Sequence, residues 1–187
     1  MVKVCTFFII IFSLSVATVS PAHAALEFSA SLIVSPAGST PYSGKIFVKG
    51  QKIRQELPGP GGTQIMIFRP DIELTWILTS PGKMCMQMAY LPSDNPFGEW
   101  AALKSKSARF IGKDAFYGMP CSKYRAVEDG KDTLYWISDQ FSFPVKIQNR
   151  DETIECENIN RCRLKDSLFE IPAYYRKTIN TIAPPEE

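Results

Sequence analysis

Alternation of apolar and polar residues in the stretch from Gly44 to Thr79 constrains the fold more than any other feature of the sequence. Near its end, every second position is apolar: Leu74, Trp76 and Leu78. A period of two is typical of a β-strand with one buried face, whereas an amphipathic helix repeats every 3.6 residues or so, about twice that period. Turn-forming residues divide the stretch at Gly44, Gly50, Pro58–Gly62 and Arg69–Asp71. The stretch therefore predicts four short antiparallel strands in a meander.

The remaining sequence continues this β pattern. Leu26–Ser35 and Lys83–Ala89 alternate in the same way, and further strand-like runs follow from Ala108. Asp129-Gly130 is a strong signal for a two-residue hairpin turn. About ten strands are expected by these criteria, which predicts a mainly β protein built on one antiparallel sheet.

One segment near the middle of the chain interrupts the alternation. Asn95 is a good N-cap residue, and Pro96 suits the first helical position. Phe97, Trp100 and Leu103 then recur at helical spacing. The segment therefore predicts a short amphipathic helix that carries two aromatic side chains.

The first 24 residues have the three parts of a secretory signal peptide. Lys3 supplies the positive charge, Val4–Val19 is an apolar run, and Ala22-His23-Ala24 is a small-x-small cleavage site. The apolar run contains Ser and Thr and is shorter than the roughly 20 residues of a membrane span. We therefore expect residues 1–24 to be removed on export to the periplasm, or on secretion if the host lacks an outer membrane.

The mature chain, residues 25–187, has a length that suits one domain with its own core, and residues 183–187 are expected to fray. Loss of Lys3 lowers the formal net charge from +2 to about +1, so no strong field attracts a charged partner. The basic residues are scattered, which argues against nucleic acid as a partner. No second apolar run approaches a membrane span, and we expect a soluble monomer.

Cysteine and histidine usage restricts the chemistry. Four cysteines remain after the leader: Cys85, Cys121, Cys156 and Cys162. An even number in an exported chain favours disulfides, with the pairing open. A bridge between the last two needs a turn between them, because that length of strand spans about 20 Å. The only histidine, His23, lies in the leader, which excludes histidine-dependent catalysis and histidine-bearing zinc sites in the mature chain. No metal or cofactor is expected.

Several segments resemble, in the same order along nearly the whole mature chain, an exported bacterial family of unknown function. They are Gly44–Glu56, Ile67–Asp71, Trp76–Leu78, Gly118–Tyr124, Trp136, Phe143–Lys146 and Leu168–Tyr175. That family is similar to the periplasmic lipoprotein carriers of the LolA and LolB kind and to outer-membrane lipoprotein-sorting proteins. The resemblance implies a strongly curved, incomplete antiparallel barrel with short helices over its open side. It also implies an apolar cavity between sheet and helices, which holds lipoprotein acyl chains in the carriers.

The candidate ligand-binding residues are apolar. Three methionines fall on one side of a predicted strand: Met84, Met86 and Met88. The candidates for the wall and lid of a cavity are Trp76, Phe97, Trp100, Leu103 and Trp136. Flexible thioethers and aromatic rings suit a pocket for varied acyl chains, but both also fill ordinary cores. The two interpretations stay open on sequence grounds.

Two arginines, Arg54 and Arg69, are candidates for contact with a lipid headgroup or with the lid through charge-assisted hydrogen bonds. In the carriers that the chain resembles, an arginine near the cavity helps to hold the lid closed. The alternative is a surface ion pair, such as Arg69 with Asp71, which contributes at most about 1 kcal/mol.

Together these features predict a non-catalytic periplasmic carrier that holds an apolar ligand between the sheet and the helix. The expected partners are a lipid or a lipidated protein, and an envelope protein is a further candidate. The alternative is an envelope scaffold or protein-interaction module whose barrel is filled by its own side chains.

Overall fold

The computed structural model describes residues 26–103, 107–128 and 130–179, with the backbone alone given at residues 102, 103, 128 and 179. The expected signal peptide, residues 1–24, and the end of the chain, residues 183–187, lie outside this part. Within it, no helix is long and apolar enough to cross a membrane.

Twelve strands of the described chain form one open, curved sheet. The strands are β1 (Glu27–Pro36), β2 (Tyr42–Lys49), β3 (Lys52–Gly59), β4 (Gly62–Arg69), β5 (Leu74–Thr79), β6 (Met84–Ala89), β7 (Arg109–Phe116), β8 (Met119–Glu128), β9 (Lys131–Ser138), β10 (Pro144–Gln148), β11 (Glu152–Arg161) and β12 (Arg176–Ile179). One α-helix, α1 (Pro96–Leu103), and short 3₁₀ turns at Pro70–Ile72, Pro81–Lys83, Pro92–Asp94 and Asp166–Phe169 complete the described elements. The mainly β prediction is confirmed, with slightly more strands than expected.

The strands lie in the order β12-β6-β5-β4-β3-β2-β1-β11-β10-β9-β8-β7. Every neighbouring pair is antiparallel except β12 with β6, which is parallel, so the sheet is mixed. The sequence pattern does not predict β12, because four residues at a sheet edge show too little alternation.

The predicted meander is the run from β2 to β5, with turns near Gly50, Gly61 and Pro70. Gly44, however, does not mark a turn. It lies within β2, where a Cβ atom would be 2.0 Å from the backbone carbonyl oxygen of Glu56 on β3. Glycine is needed here for the close approach of two strands.

The sheet curves around a core on one face, here called the inner face. Phe68 on β4 and Ile137 on β9 belong to the same buried cluster, although five strands separate β4 from β9 in the sheet. Helix α1 covers part of this face through Phe97 and Trp100. Its predicted N-cap is confirmed, because the backbone N–H of Phe97 donates to Asn95 Oδ1 at 3.1 Å.

The opposite, outer face carries two further clusters. One lies on β4, β5 and β6 and is covered by residues 162–175, here called the C-terminal strap. The other lies on β8, β9 and β10 around Trp136 and Val145. Strand β5 therefore has buried residues on both faces, Thr75 on the inner face and Trp76 and Leu78 on the outer face, which a one-sided alternation pattern does not anticipate.

The predicted disulfides are absent, because Cys85, Cys121, Cys156 and Cys162 are all free thiols. Residues 152–161 remain in strand β11, which excludes the turn that a bridge from Cys156 to Cys162 requires. Cys156 lies in the inner core, whereas Cys85 and Cys121 lie in different clusters on the outer face. Burial raises the pKa of the Cys156 thiol well above its ordinary value, which keeps it protonated at neutral pH.

Candidate functional site

A cleft of about 560 Å³ separates α1 from one end of the inner face. Its lining is mainly apolar and includes Leu26, Ile53, Tyr90, Phe97, Trp100 and Phe143. Sites for small organic ligands typically enclose about 300–1,000 Å³ and have such a lining. The cleft therefore has the size of a small-ligand site and the apolar character that the resemblance implies for the space between sheet and helix.

The two predicted lid aromatics are anchored in the inner core as well as lining the cleft. Phe97 stacks on Phe143 with ring centroids 5.1 Å apart. Trp100 packs against Tyr135 at 5.1 Å and against Tyr124 at 5.0 Å. The helix is thus held by aromatic contacts on β8, β9 and the segment before β10. Leu103 is the last residue of α1, and its side chain lies outside the described part of the structure.

Gly98 fits the helix closely against Tyr90. A Cβ atom at this position would be 2.2 Å from the tyrosine hydroxyl oxygen. Glycine lowers helix propensity, so its presence here has a packing reason. Burial of Tyr90, followed by the nearby charge of Asp94, raises the pKa of the phenol above its ordinary value.

The predicted methionine row lies on the inner face of β6. Met84, Met86 and Met88 pair with Thr79, Ile77 and Thr75 of β5, and paired residues of an antiparallel sheet share a face. Met84 and Met86 are 42% and 40% exposed.

The row continues across the neighbouring strands as a wider apolar surface. Ile77 pairs with Met66 on β4, and Leu57 on β3 lies on the same face. We call this surface the methionine face, and its members are Leu57, Met66, Ile77, Met84, Met86 and Met88. All of them are partly or largely accessible to solvent.

The rest of the inner face is filled by side chains of the protein itself. Phe28, Leu32 and Tyr135 are each at most 1% exposed, and Phe28 packs against Phe141 and Phe143. The inner face is therefore closed over β1 and β9–β11 and open over the methionine face.

Trp76 and Trp136 lie on the outer face and do not line the cleft. Trp76 belongs to the cluster under the C-terminal strap, and its Nε1–H donates to Gln87 Oε1 at 3.0 Å. Trp136 donates to Asp114 Oδ2 at 2.8 Å, and Lys123 Nζ lies 4.2 Å from the centre of its ring. On sequence grounds both tryptophans are candidate cavity residues. Alternation shows that a tryptophan lies on one face of a strand, but it does not show which face is the inner one.

Arg54 and Arg69 also lie on the outer face, where they bind the C-terminal strap and not the helix. Arg54 Nη1 donates to the carbonyl oxygen of Leu168 at 3.0 Å, and Arg69 Nη1 donates to that of Phe169 at 3.1 Å. Lys49 on β2 makes a similar bond of 2.9 Å to Leu164. Cations from three adjacent strands thus hold carbonyls along one segment.

The pair of Arg69 with Asp71, expected as the alternative for this arginine, is present. Arg69 donates from Nε and Nη2 to the two carboxylate oxygens of Asp71 at 2.8 and 2.9 Å. These hydrogen bonds hold the pKa of Asp71 below its ordinary value of 3.8. Arg69 itself is only 7% exposed, whereas the side chain of Asp71 is 34% exposed, so one partner of the pair is buried and the other meets solvent.

Sequence reasoning does not identify a set of buried polar residues on the inner face: Gln55, Thr75 and Asn95, at 5%, 2% and 1% exposure. In the sequence, Thr75 occupies a polar position of an alternating strand, which predicts a solvent-facing side chain. Asn95 is predicted only to cap the helix. The sequence gives only a weak signal that these polar residues are buried, because burial of both faces of β5 depends on segments that are distant in sequence.

A cleft of about 400 Å³ beside Tyr117 and Glu157 contains none of the predicted ligand-binding residues. No group of three or more histidine, cysteine, aspartate or glutamate residues is arranged to hold a metal ion within the described ranges.

Neither a protein-family model nor a curated protein sequence matches the chain. Solved structures do match it. An uncharacterized conserved protein from Thermus thermophilus superposes with a TM-score of 0.60 at 11% sequence identity, over 84% of this chain and 92% of that one. PNGF-II superposes with a TM-score of 0.55 at 8% identity over 83% of this chain, but this covers only 31% of the PNGF-II chain.

A third match is a LolA superfamily protein, NE2245 from Nitrosomonas europaea. Its TM-score is 0.42 at 9% identity, over 79% of this chain and 91% of that one. At such identities a structural match reports the fold alone. The chain is thus similar in fold to solved structures, among which the LolA superfamily protein is a weaker match.

Proposed function

We propose that the protein is a non-catalytic carrier that binds an acyl chain on its inner face, in the α1 cleft and along the methionine face. The observation that carries the proposal is the half-covered inner face. Residues such as Met84 and Met86 remain about two-fifths exposed beside a well-packed core. Contiguous exposed apolar surfaces on soluble proteins commonly mark binding sites.

The energetics suit a hydrocarbon ligand. Each buried methylene contributes about 0.8 kcal/mol, so a chain of about a dozen carbons contributes roughly 10 kcal/mol before the costs of binding. Methionine side chains adapt to irregular apolar shapes and therefore tolerate chains of different length and unsaturation.

The position of α1 suits a lid. The helix has only eight residues, and its contacts with the core concentrate at Phe97 and Trp100, which also line the cleft. A modest outward shift of such an element widens the cleft without opening the sheet. The ligand is then a lipid, or the lipid anchor of a protein, carried through the periplasm if the leader directs export.

The filled half of the inner face favours the second candidate, an envelope protein-interaction module. Phe28 and Tyr135 are fully buried at the centre of that half. A module of this kind has no need of a ligand, and the exposed methionines then contact another protein. Ligand binding distinguishes the two functions.

The deciding experiment combines lipid identification with a matched pair of variants. Mature protein purified from its native envelope is extracted, and the lipids are identified by mass spectrometry. Met86→Asp places a charge on the methionine face, whereas Val127→Asp places one on β8, away from that face, at a site that is 54% exposed.

We expect co-purified acyl lipid with the native protein and with Val127→Asp, and little or none with Met86→Asp. The absence of lipid from all three proteins, together with no binding of added phospholipid, would leave the interaction module as the better proposal. Equal lipid in both variants would place the binding site elsewhere.

A further inference from the structure

Two buried polar groups on the inner face have no hydrogen-bond partner within the described part of the chain: Thr75 Oγ1 and Asn95 Nδ2. Both residues are almost completely buried, at 2% and 1% exposure. Unpaired buried polar groups are unfavourable and rare in native proteins, so each one needs an explanation.

The orientation of the Asn95 amide is fixed by its cap. Its Oδ1 accepts the backbone N–H of Phe97 at 3.1 Å and lies 3.5 Å from Gln55 Nε2, which donates to it. The amide oxygen is thus occupied, and the Nδ2 hydrogens are the unused donors.

Asn95 is close in the chain to residues that line the cleft, and Thr75 is the strand neighbour of one member of the methionine face. Asn95 stands in the chain between Pro92 and Phe97, and both of these line the cleft. Thr75 pairs with Phe68 on one side and with Met88 on the other. Gln55 pairs with Met66, so the polar groups border the methionine face on two strands.

The chemistry of these groups indicates the ligand group that would satisfy them. A carbonyl oxygen has two lone pairs and can accept one hydrogen bond from the asparagine amide and one from the threonine hydroxyl. A carboxylate would place a negative charge in a buried site, which is unfavourable without a positive partner. Arg54 and Arg69 do not supply that partner, because they are engaged on the outer face. A neutral carbonyl therefore fits better than an ion.

We propose that Gln55, Thr75 and Asn95 form a subsite for the carbonyl oxygen of an ester- or amide-linked acyl chain. This inference rests on the proposed function and adds to it the polar group by which the chain is recognised. Asn95 Nδ2–H and Thr75 Oγ1–H donate to the carbonyl, Gln55 holds the asparagine amide, and the hydrocarbon lies along the methionine face. Because both donors are covered in the ligand-free protein, α1 moves outward as the carbonyl enters.

The test compares an ester probe with an ether that differs from it only in lacking the carbonyl, and adds an amide probe of the same chain length. Binding of monolauroyl glycerol, of lauroyl ethanolamide and of dodecyl glyceryl ether to the mature protein is measured by isothermal titration calorimetry. The ester and the amide represent a glycerolipid and an amide-linked chain, and the ether lacks the carbonyl. We expect the native protein to bind both carbonyl probes more tightly than the ether, and the tighter of the two identifies the natural linkage.

Thr75→Val replaces the hydroxyl by a methyl group of similar shape. We expect it to raise the Tm of the ligand-free protein, because an unpaired buried hydroxyl is lost, and to weaken carbonyl-probe binding about three- to tenfold with ether binding unchanged. Asn95→Ser keeps a side-chain cap and removes Nδ2, so it should show the same selective loss. Thr153→Val, on β11 away from the cleft, is the control and should leave all three affinities unchanged.

The outcomes separate the two proposals. If all three probes bind alike to the native protein and to both variants, the subsite is wrong and the carrier function stands. A fall in Tm for Thr75→Val would show that the hydroxyl already has a partner and would also overturn the subsite. If no probe binds, the carrier function fails and the subsite fails with it.

Discussion

Replacement of Arg69 by methionine should detach the C-terminal strap from the outer face. The guanidinium makes four hydrogen bonds: two to Asp71, one of 3.1 Å to the Phe169 carbonyl and one of 2.7 Å to Glu170. It also lies 5.6 Å from the ring centre of Trp76. Methionine keeps much of the apolar stem but makes none of these polar contacts.

The cost can be estimated contact by contact. The Phe169 carbonyl is buried, and leaving it without a donor costs about 1–3 kcal/mol. The side chains of Asp71 and Glu170 are 34% and 53% exposed, so water replaces much of what they lose and each pair contributes at most about 1 kcal/mol. With the ring contact included, we expect Arg69→Met to lower the free energy of unfolding by about 2–4 kcal/mol.

Arg125→Met is the matched control. Arg125 also donates twice to one carboxylate, that of Asp132, at 2.9 and 2.6 Å, but its side chain is 54% exposed and neither contact is buried. Its removal should cost no more than about 1 kcal/mol. Urea denaturation followed by circular dichroism measures both, and a slope near 2 kcal/mol per M converts the Arg69 effect into a midpoint shift of about 1–2 M.

Burial of the Arg69 contacts is the reason for the expected difference, so equal midpoint shifts for the two variants would refute this explanation.

The pH dependence of stability gives a second check. The pKa of Asp71 is lowered by Arg69, so the pair stabilises the fold fully above the ordinary value of 3.8 and progressively less as pH falls through the lowered pKa. The stability difference between native protein and Arg69→Met should therefore shrink in strong acid.

Further outcomes follow from the helix, the thiols and the exposed methionines. Gly98→Ala should destabilise the protein by about 1–3 kcal/mol in thermal unfolding despite its better helix propensity, because the new Cβ meets Tyr90, and Tyr90→Phe should restore part of the loss. In a thiol-labelling assay on residues 25–187, Cys162, which is only half-buried, should react first, and the three buried thiols should react only on unfolding. Rapid labelling of Cys156 would contradict its place in the core. Met86→Asp should change the free energy of unfolding by less than about 1 kcal/mol, since the side chain is 40% exposed, while it abolishes lipid binding.

Local sequence patterns predict where the strands and the helix lie better than they predict which residues pack against them. Alternation at Leu74–Leu78 identifies β5, and Asn95 with Pro96 identifies the start of α1, because strand periodicity and helix capping depend on adjacent residues. Which side of the sheet Trp76 packs against depends instead on the C-terminal strap. This segment lies far along the chain and covers the outer side of the same strand. Without that segment, one alternating row is as good a candidate for the inner face as the other.

In the candidate site, too, local sequence patterns predict which residues share a face, but not their distant partners. Phe97, Trp100 and the methionine row all lie on the inner face, and the members of each set share a face because one periodic element carries them. Arg54 and Arg69 bind carbonyls that are 114 and 100 positions away, and no local pattern records such a partner. The cysteines show that an even count favours disulfides only when the fold brings two sulfur atoms within bonding distance, which it does for none of Cys85, Cys121, Cys156 and Cys162.

The proposed carrier function requires an acyl chain to lie on the inner face, between α1 and the methionine face. The most direct measurement is photolabelling of the mature protein with a diazirine-bearing fatty acyl ester, followed by mapping of the adducts by mass spectrometry. We expect adducts on residues such as Met66, Met86 and Phe97, and competition by unlabelled phospholipid. Adducts confined to the outer face, or labelling that excess phospholipid does not reduce, would contradict it.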